Sequence, residues 1–217
     1  MQTDDIKWIG HASFILEDKE GRQLCFLDPF EIGSVQDRAD IIFITHGHYD
    51  HASPDDVKRL LTPNTMVVAA PNCIEKFPVP NKQTMIVEPN IDFEVKGIKA
   101  KTIPAYNIKP ERLNFHPRKN EWVGYIININ NKKIYHAGDT DFVDEMTELG
   151  KLDVAMLPMG GTYTMDVDEA IRAANAIRAK VTVPMHYKRL LGDRAKEAER
   201  KFKDGVQGEV VFMKEIV

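Results

Sequence analysis

Six consecutive residues, His46-Gly47-His48-Tyr49-Asp50-His51, put three imidazoles and a carboxylate close behind the apolar run Ile41-Ile42-Phe43-Ile44. A short continuous run of that kind fits a strand buried on both faces, so the polar string begins where a core strand ends. His46 and His48 are two apart and project to the same side while the chain stays extended, whereas Asp50 and His51 follow a turn-prone stretch. One pair can hold one divalent ion and the other pair a second, because imidazole and carboxylate are ligands that zinc, manganese and iron accept. With 7 histidines in 217 residues, the string arises by chance with odds of about one in two thousand. That outweighs its reading as a polar loop of capping histidines.

Such a cluster requires a fold that brings other ligands to the same strand end. Asp139 follows the strand ending at His136, and His186 follows the strand Lys180 to Met185. Ligands of open α/β sheets gather at the carboxyl ends of strands, so the three groups can converge. Asp139 can use both carboxylate oxygens to bridge two ions, and two ions about 4 Å apart make a hydrolytic site. Taken singly, Asp139 reads as a turn residue and His186 as a hydrogen-bonded strand-end histidine. Their places behind strands, together with the cluster, reverse that reading.

The rest of the chain supplies those strands. Ile6 to Ile9, Ser13 to Glu17 and Gln23 to Leu27 form a meander, the last two joined by a turn at Asp18-Lys19-Glu20-Gly21. Ser53-Pro54-Asp55-Asp56 reads as an N-cap, a proline at the first helical position and acid in the first turn; Pro63 ends that helix, and a strand follows at Met66 to Ala69. From Thr84 to Ile103 the pattern is β again. Trp122 to His136 is a hairpin turning at Asn130-Asn131. The final third alternates: strand Asp153 to Leu157, helix Asp166 to Ile177 with an Asp166/Glu169 capping box, strand Lys180 to Met185, helix Asp193 to Lys203, strand Glu209 to Met213. Two sheets covered by helices follow, a four-layer αββα sandwich. At 217 residues, without repeat or linker, residues 1-217 read as one domain, of a size that buries roughly 70% of its unfolded surface.

Charge and composition exclude several functions. A net charge of −4 with no clustered basic face argues against nucleic acid, and no apolar stretch reaches the length of a membrane span. Met1 to Asp5 carries acid where a secretory signal carries positive charge. Cys25 and Cys73 lie in apolar surroundings and read as buried free thiols of a reducing compartment. A cytoplasmic protein acting on a small molecule is expected, and assembly as a homo-oligomer stays open. Between the strands lies a long polar segment, Pro104 to Glu121, and connections of that length are functional or disordered. Its Lys109, Arg112, Arg118 and Lys119 outnumber Glu111 and Glu121, and Gly160-Gly161-Thr162 precedes a helix. An anionic substrate such as a phosphate ester or phosphorylated lactone accounts for both; a solvated loop and an ordinary glycine turn account for them equally well.

In their order along the chain, Asp28, His46 to His51, Gly138-Asp139-Thr140 and His186 resemble the motifs of the metallo-β-lactamase superfamily, and the likeness covers nearly the whole chain. Gly10-His11-Ala12-Ser13-Phe14, Asp28-Pro29-Phe30, Tyr135 to Thr140, Leu157 to Gly161 and Pro184 to Tyr187 are similar to a branch of small hydrolases. That branch is related to ascorbate-phosphate lactonase and N-acyl-phosphatidylethanolamine phospholipase D. The resemblance implies that His46, His48 and Asp139 hold a first metal. Asp50, His51, Asp139 and His186 would hold a second, and Asp28 would orient a ligand. Asp50 and Asp139 are the candidate catalytic carboxylates. The ions lower the pKa of water, Asp50 holds that water by a hydrogen bond, and it attacks a carbonyl carbon or phosphorus.

One departure stands out. The family places another histidine near Ile103 to Asn107, where this chain offers Tyr106 and Asn107. His116, the only histidine between His51 and His136, is expected to fold back as the missing ligand; the alternatives are that Asn107 or water fills the position, or that His116 binds substrate. Tyr106 and Asn107 would then support the site or the substrate. His11 either lines the site or is structural, and His136 is expected to be buried and satisfied. A di-iron redox enzyme or a binding protein on the same fold is the alternative function.

Overall fold

The computed structural model describes residues 3–19, 24–35, 38–77 and 79–217. A first sheet has the order β1 (Ile6–Gly10), β2 (Ser13–Glu17), β3 (Leu24–Leu27), β4 (Ile41–Ile44), β5 (Met66–Ala69) and β6 (Thr84–Ile86). Its first three strands are antiparallel and β3 to β6 are parallel. The second sheet contains β7 (Asp92–Val95), β8 (Ile98–Pro104), β9 (Val123–Ile129), β10 (Lys132–His136), β11 (Val154–Pro158), β12 (Val181–Met185) and β13 (Glu209–Val210), with neighbours in sequence order. Here β7 to β10 are antiparallel and β10 to β13 parallel. Each sheet therefore has a hairpin half and a parallel half.

One apolar core joins inward side chains of both sheets, among them Trp8, Phe14, Phe43, Tyr125 and Ile127, and continues to Ala170 and Ala174 of α3 (Val167–Ile177). A second core lies on the outer face of the first sheet, where Ile42, Ile44 and Val67 meet Val57 and Leu60 of α1 (Pro54–Leu60) and Cys73 of α2 (Pro71–Ile74). Helices outside two sheets give the four-layer αββα arrangement expected from the sequence. Ser53 caps α1, and Asp166 and Glu169 form both halves of the capping box of α3. Cys25 and Cys73 are buried free thiols, and no described helix is long and apolar enough to cross a membrane.

Several expected boundaries shift. The turn at Asp18 to Gly21 extends beyond Lys19 into residues outside those described, as does Gln23 of the following strand. The helix expected from Asp193 begins as α4 (Lys188–Leu191), turns at Gly192, whose φ is +52°, and continues as α5 (Ala195–Gly205). The strand expected to reach Met213 pairs only over β13. Beyond it the chain leaves the edge of the second sheet and joins the first, where Glu215 bridges Trp8 and the Ile216 N–H donates to the Trp8 carbonyl at 3.0 Å.

Candidate metal centre

The carboxyl ends of β4, β10 and β12 open on one edge and carry His46 to His51, Asp139 and His186. Around His46 each proton can be traced. Asp28, with φ +43°, turns its carboxylate back so that Oδ1 accepts from Thr45 N at 2.7 Å and Oδ2 from Thr45 Oγ1 at 2.6 Å. The threonine hydroxyl has one proton and gives it to Asp28, so at 3.0 Å it accepts from His46 Nδ1. His46 Nε2 is left without a proton, 3.1 Å from His48 Nδ1. Asp28 Oδ2 also accepts from His51 Nδ1 at 2.7 Å, which turns His51 Nε2 toward Asp139. Hydrogen bonds of this kind fix the ring orientation of metal-binding histidines.

Besides Asp28 with His46 and His51, candidate ligand atoms gather in two further groups. One ligand atom from each of His46, His48 and His116 lies within 4.8 Å of the others, and so does one from each of His11, Asp50, His51 and His186. Asp139 stands between the groups. Its Oδ1 is 3.2 Å from His51 Nε2, and its Oδ2 is 3.3 Å from His116 Nε2 and 3.1 Å from His186 Nε2. The buried atoms His51 Nε2, His116 Nε2, Asp139 Oδ1 and both ring nitrogens of His186 lack a hydrogen-bond partner. Four of these atoms, His51 Nε2, His116 Nε2, His186 Nε2 and Asp139 Oδ1, gather around the Asp139 carboxylate, an arrangement that is costly unless a cation satisfies them. A nitrogen–oxygen donor set of this composition fits divalent ions.

Electrostatics agree with that fit. Burial drives the His46 imidazole well below its ordinary range, and the nearby His51 charge adds to the effect. At His51 and His186 burial works in the same direction, but Asp139 overcomes it at both, aided by Asp28 at His51, and both are raised. Burial would raise Asp139; His186 and His51 hold it well below the usual carboxylate range. The buried carboxylates thus demand positive charge at the centre of the cluster.

His11, with φ +52°, places Nε2 3.0 Å from Asp50 Oδ2 and its ring 3.8 Å from that of His186. Burial pushes its pKa down to about 4, so it is neutral at pH 7 and donates to Asp50. The Asp50 carboxyl, which burial would raise, is held far below its usual range by the hydrogen bond from His11 and by the His186 imidazole, whose Nε2 lies 3.6 Å from Oδ2. Its side chain is 39% exposed and can reach water. His136 is buried as expected, accepting from Gly138 N and donating to the Ala12 carbonyl.

The segment between β8 and β9 folds back over the cluster. It brings the His116 ring within 5.0 Å of His46 and 4.8 Å of His48, measured between centroids. Asn107 lies behind His116, whose Nδ1 is 2.9 Å from Asn107 Oδ1. Tyr106 points away, its hydroxyl on Glu145 and its ring beneath Arg118. Three of the four cations in this segment are neutralised within the fold: Lys109 by Asp166 and Glu169, Arg112 by Asp141 and Glu169, Arg118 by Glu145. Gly160 to Thr162 lies well before α3, whose N-terminus is capped by Asp166, leaving no anion cradle there. Gly160 instead permits a close approach, since a Cβ on it would sit 2.3 Å from the His186 carbonyl oxygen.

Sequence reasoning missed Thr45, Trp122 and Asp141. Trp122 packs on His46 and His48 with ring centroids at 5.0 Å. Their sole signal is adjacency to ligands or strand ends. Beside His11, a cavity of about 790 Å³ is walled by Phe30, Tyr49, Arg59 and Arg189.

Two stacked sheets with histidines and aspartates converging at one edge define a metallohydrolase of the β-lactamase type. Residues 5–186 match the model of the beta-lactamase superfamily domain. A UPF0173 metal-dependent hydrolase of Thermoplasma volcanium is 36% identical over 197 residues, covering 84% of each chain. A Parabacteroides distasonis structure described as a metal-dependent hydrolase is 30% identical, with a TM-score of 0.81 over 96% of this chain and 93% of that one. Igni18, a metallo hydrolase of Ignicoccus hospitalis, shares the fold at 24% identity and TM-score 0.76, covering 97% and 94%. The chain belongs to the metal-dependent hydrolases of the beta-lactamase superfamily.

Proposed function

We propose that the protein uses two divalent ions, zinc in the first instance, to hydrolyse an ester, lactone or phosphodiester bond of a small molecule. His46, His48, His116 and Asp139 would hold one ion, and Asp50, His51, His186 and Asp139 the other. The observation that carries this reading is the convergence of the orphaned atoms of His51, His116, His186 and Asp139. Bound there, the ions would supply Lewis acidity, lowering the pKa of water and polarising the scissile carbonyl or phosphoryl oxygen.

The side chains do the rest. His11 holds Asp50 through its Oδ2, leaving the other carboxylate oxygen to accept a hydrogen bond from the attacking water and orient it. The cavity at His11 has the size of a small-molecule pocket. Since Lys109, Arg112 and Arg118 are committed to ion pairs, negative charge on a substrate would be met at the metal centre or by Arg59 in the cavity wall. Free buried Cys25 and Cys73 fit a reducing, cytoplasmic setting.

Elemental analysis of protein purified without added metal tests the centre. Two equivalents of zinc are expected in the wild type and about one in His116→Ala, whereas full metal and activity in that variant would remove His116 from the ligand set. Iron as the native metal would favour the redox alternative. A screen of zinc- and manganese-loaded protein against esters, lactones and phosphodiesters identifies the bond cleaved, and inactivity on all three classes overturns the substrate reading.

A further inference from the structure

Behind His116 lies a buried group of charges that touches none of the other ligands. Arg112 is 2% exposed although it sits in the connection between two strands. Its Nε is 3.1 Å from Asp141 Oδ1, its Nη2 donates to Glu169 Oε2 at 2.5 Å, and its Nη1 donates to the Thr164 carbonyl. Asp141 is fully buried; its Oδ2 accepts from the backbone N–H of Ile108 and Lys109, and its Oδ1 accepts from Asn107 Nδ2 at 3.0 Å. Asn107 Nδ2 donates also to the Tyr163 carbonyl at 3.0 Å.

These contacts leave the Asn107 amide one orientation. Flipped, its oxygen would face a carboxylate and a carbonyl, neither of which can donate. Its oxygen therefore faces His116, accepting from the backbone N–H at 3.0 Å and from Nδ1 at 2.9 Å. An amide oxygen only accepts, so Nδ1 carries the ring proton and Nε2, 3.3 Å from Asp139 Oδ2, is left bare. A buried arginine with two carboxylates is a costly way to fill space, and apolar side chains would fill it as well. Apolar side chains could not orient an amide.

We infer that Asp141, held by Arg112, is a positioning residue: it fixes the Asn107 amide so that His116 is locked as its Nδ1–H tautomer with Nε2 turned to the metal centre. This rests on the reading of His116 as a ligand. Asp141 follows the bridging candidate Asp139 by two residues, so the same turn that presents Asp139 also anchors the segment that delivers His116.

Asp141→Asn keeps the shape but cannot serve all these donors. Zinc affinity, measured by competition with a chromophoric chelator, is expected to fall about 10- to 100-fold at one site. In zinc-loaded protein with 15N-labelled histidine, the His116 Nδ1–H resonance should broaden or vanish. A purely structural role would lower the melting temperature and leave both readouts as in the wild type; that result in folded Asp141→Asn overturns the proposal. Should that variant not fold, Asn107→Ala carries the test, with the same losses expected and wild-type affinity overturning it. His116→Ala separates the two readings. If it keeps both zinc ions, the ligand assignment fails and the proposal with it; if it loses one while Asp141→Asn and Asn107→Ala bind as the wild type, only the positioning role fails.

Discussion

A histidine ligates a metal through whichever ring nitrogen its other hydrogen bond leaves free, and here that choice is made by small polar residues. Thr45 makes it for His46, Asp28 for His51 and Asn107 for His116. Asp50 has a different task, because its carboxylate is tied to His11 and remains partly open to water. Replacing Asp50 by Asn should lower kcat by about 100-fold or more while KM moves little. Steady-state kinetics on the bond identified by the screen reads the split, and equal losses in both constants would make Asp50 chiefly structural. The candidate ligands His46, His48, His51, Asp139 and His186 stood out in the sequence because dense imidazole and carboxylate behind strands is a rare pattern, and the fold brings them to one edge. Thr45, Trp122 and Asp141 were not. A threonine, a tryptophan and an aspartate occur everywhere, and what makes these three matter is the partner each meets, far away in sequence for Trp122 and Asp141.

Regular elements were read more fully than the connections. β4, β5, β9 and β10 appear where apolar periodicity and the Asn130-Asn131 turn put them, and α3 has its capping box, since these signals are local. The conformation of residues 105–121 is set by Asp141, Glu169 and Asp166, which lie in later parts of the chain. No window of sequence contains that information. The loop after β11 offers a sharp test of how closely elements pack near the site. Gly160→Ala would drive a methyl group into the His186 carbonyl, and neither backbone can give way without moving a metal-centre histidine. Strain of that kind typically costs about 1–3 kcal/mol, read as a lower urea midpoint. The zinc content should fall with it. Wild-type zinc content in this variant would mean that the loop moves independently of His186.

Across the whole molecule, contacts at the far end of the sandwich hold the two sheets together. Asp5, before β1, accepts from Lys132 Nζ at 2.6 Å and from Asn130 Nδ2 at 2.6 Å, both in the turn region between β9 and β10. Burial alone would raise the Asp5 pKa, and these partners lower it below the ordinary value. A carboxyl whose folded pKa is depressed contributes stability above its unfolded pKa and loses it as the pH falls through the folded value. Asp5→Asn is therefore expected to cost about 1–2 kcal/mol at pH 7, with the gap from wild type closing below pH ~4. Urea titrations at several pH values measure this, and a gap that stays constant into acid would exclude the Asp5 charge as its source.

The ligands of the proposed metal pair are divided between the sheets. His46 to His51 hang from the first, while His116, Asp139 and His186 hang from the second. Ions bound there would rivet the open edge of the sandwich, opposite the clasp formed by Asp5 and Lys132. Unfolding would have to extract the rivets, so zinc at about 100 times its dissociation constant should add roughly 2.7 kcal/mol to stability, and the melting temperature should climb with free zinc. A melting curve indifferent to zinc and chelator would deny the rivet. If the curve responds, the enzyme's resistance to heat becomes a gauge of its metal supply, and a cell starved of zinc would lose the folded protein along with its activity.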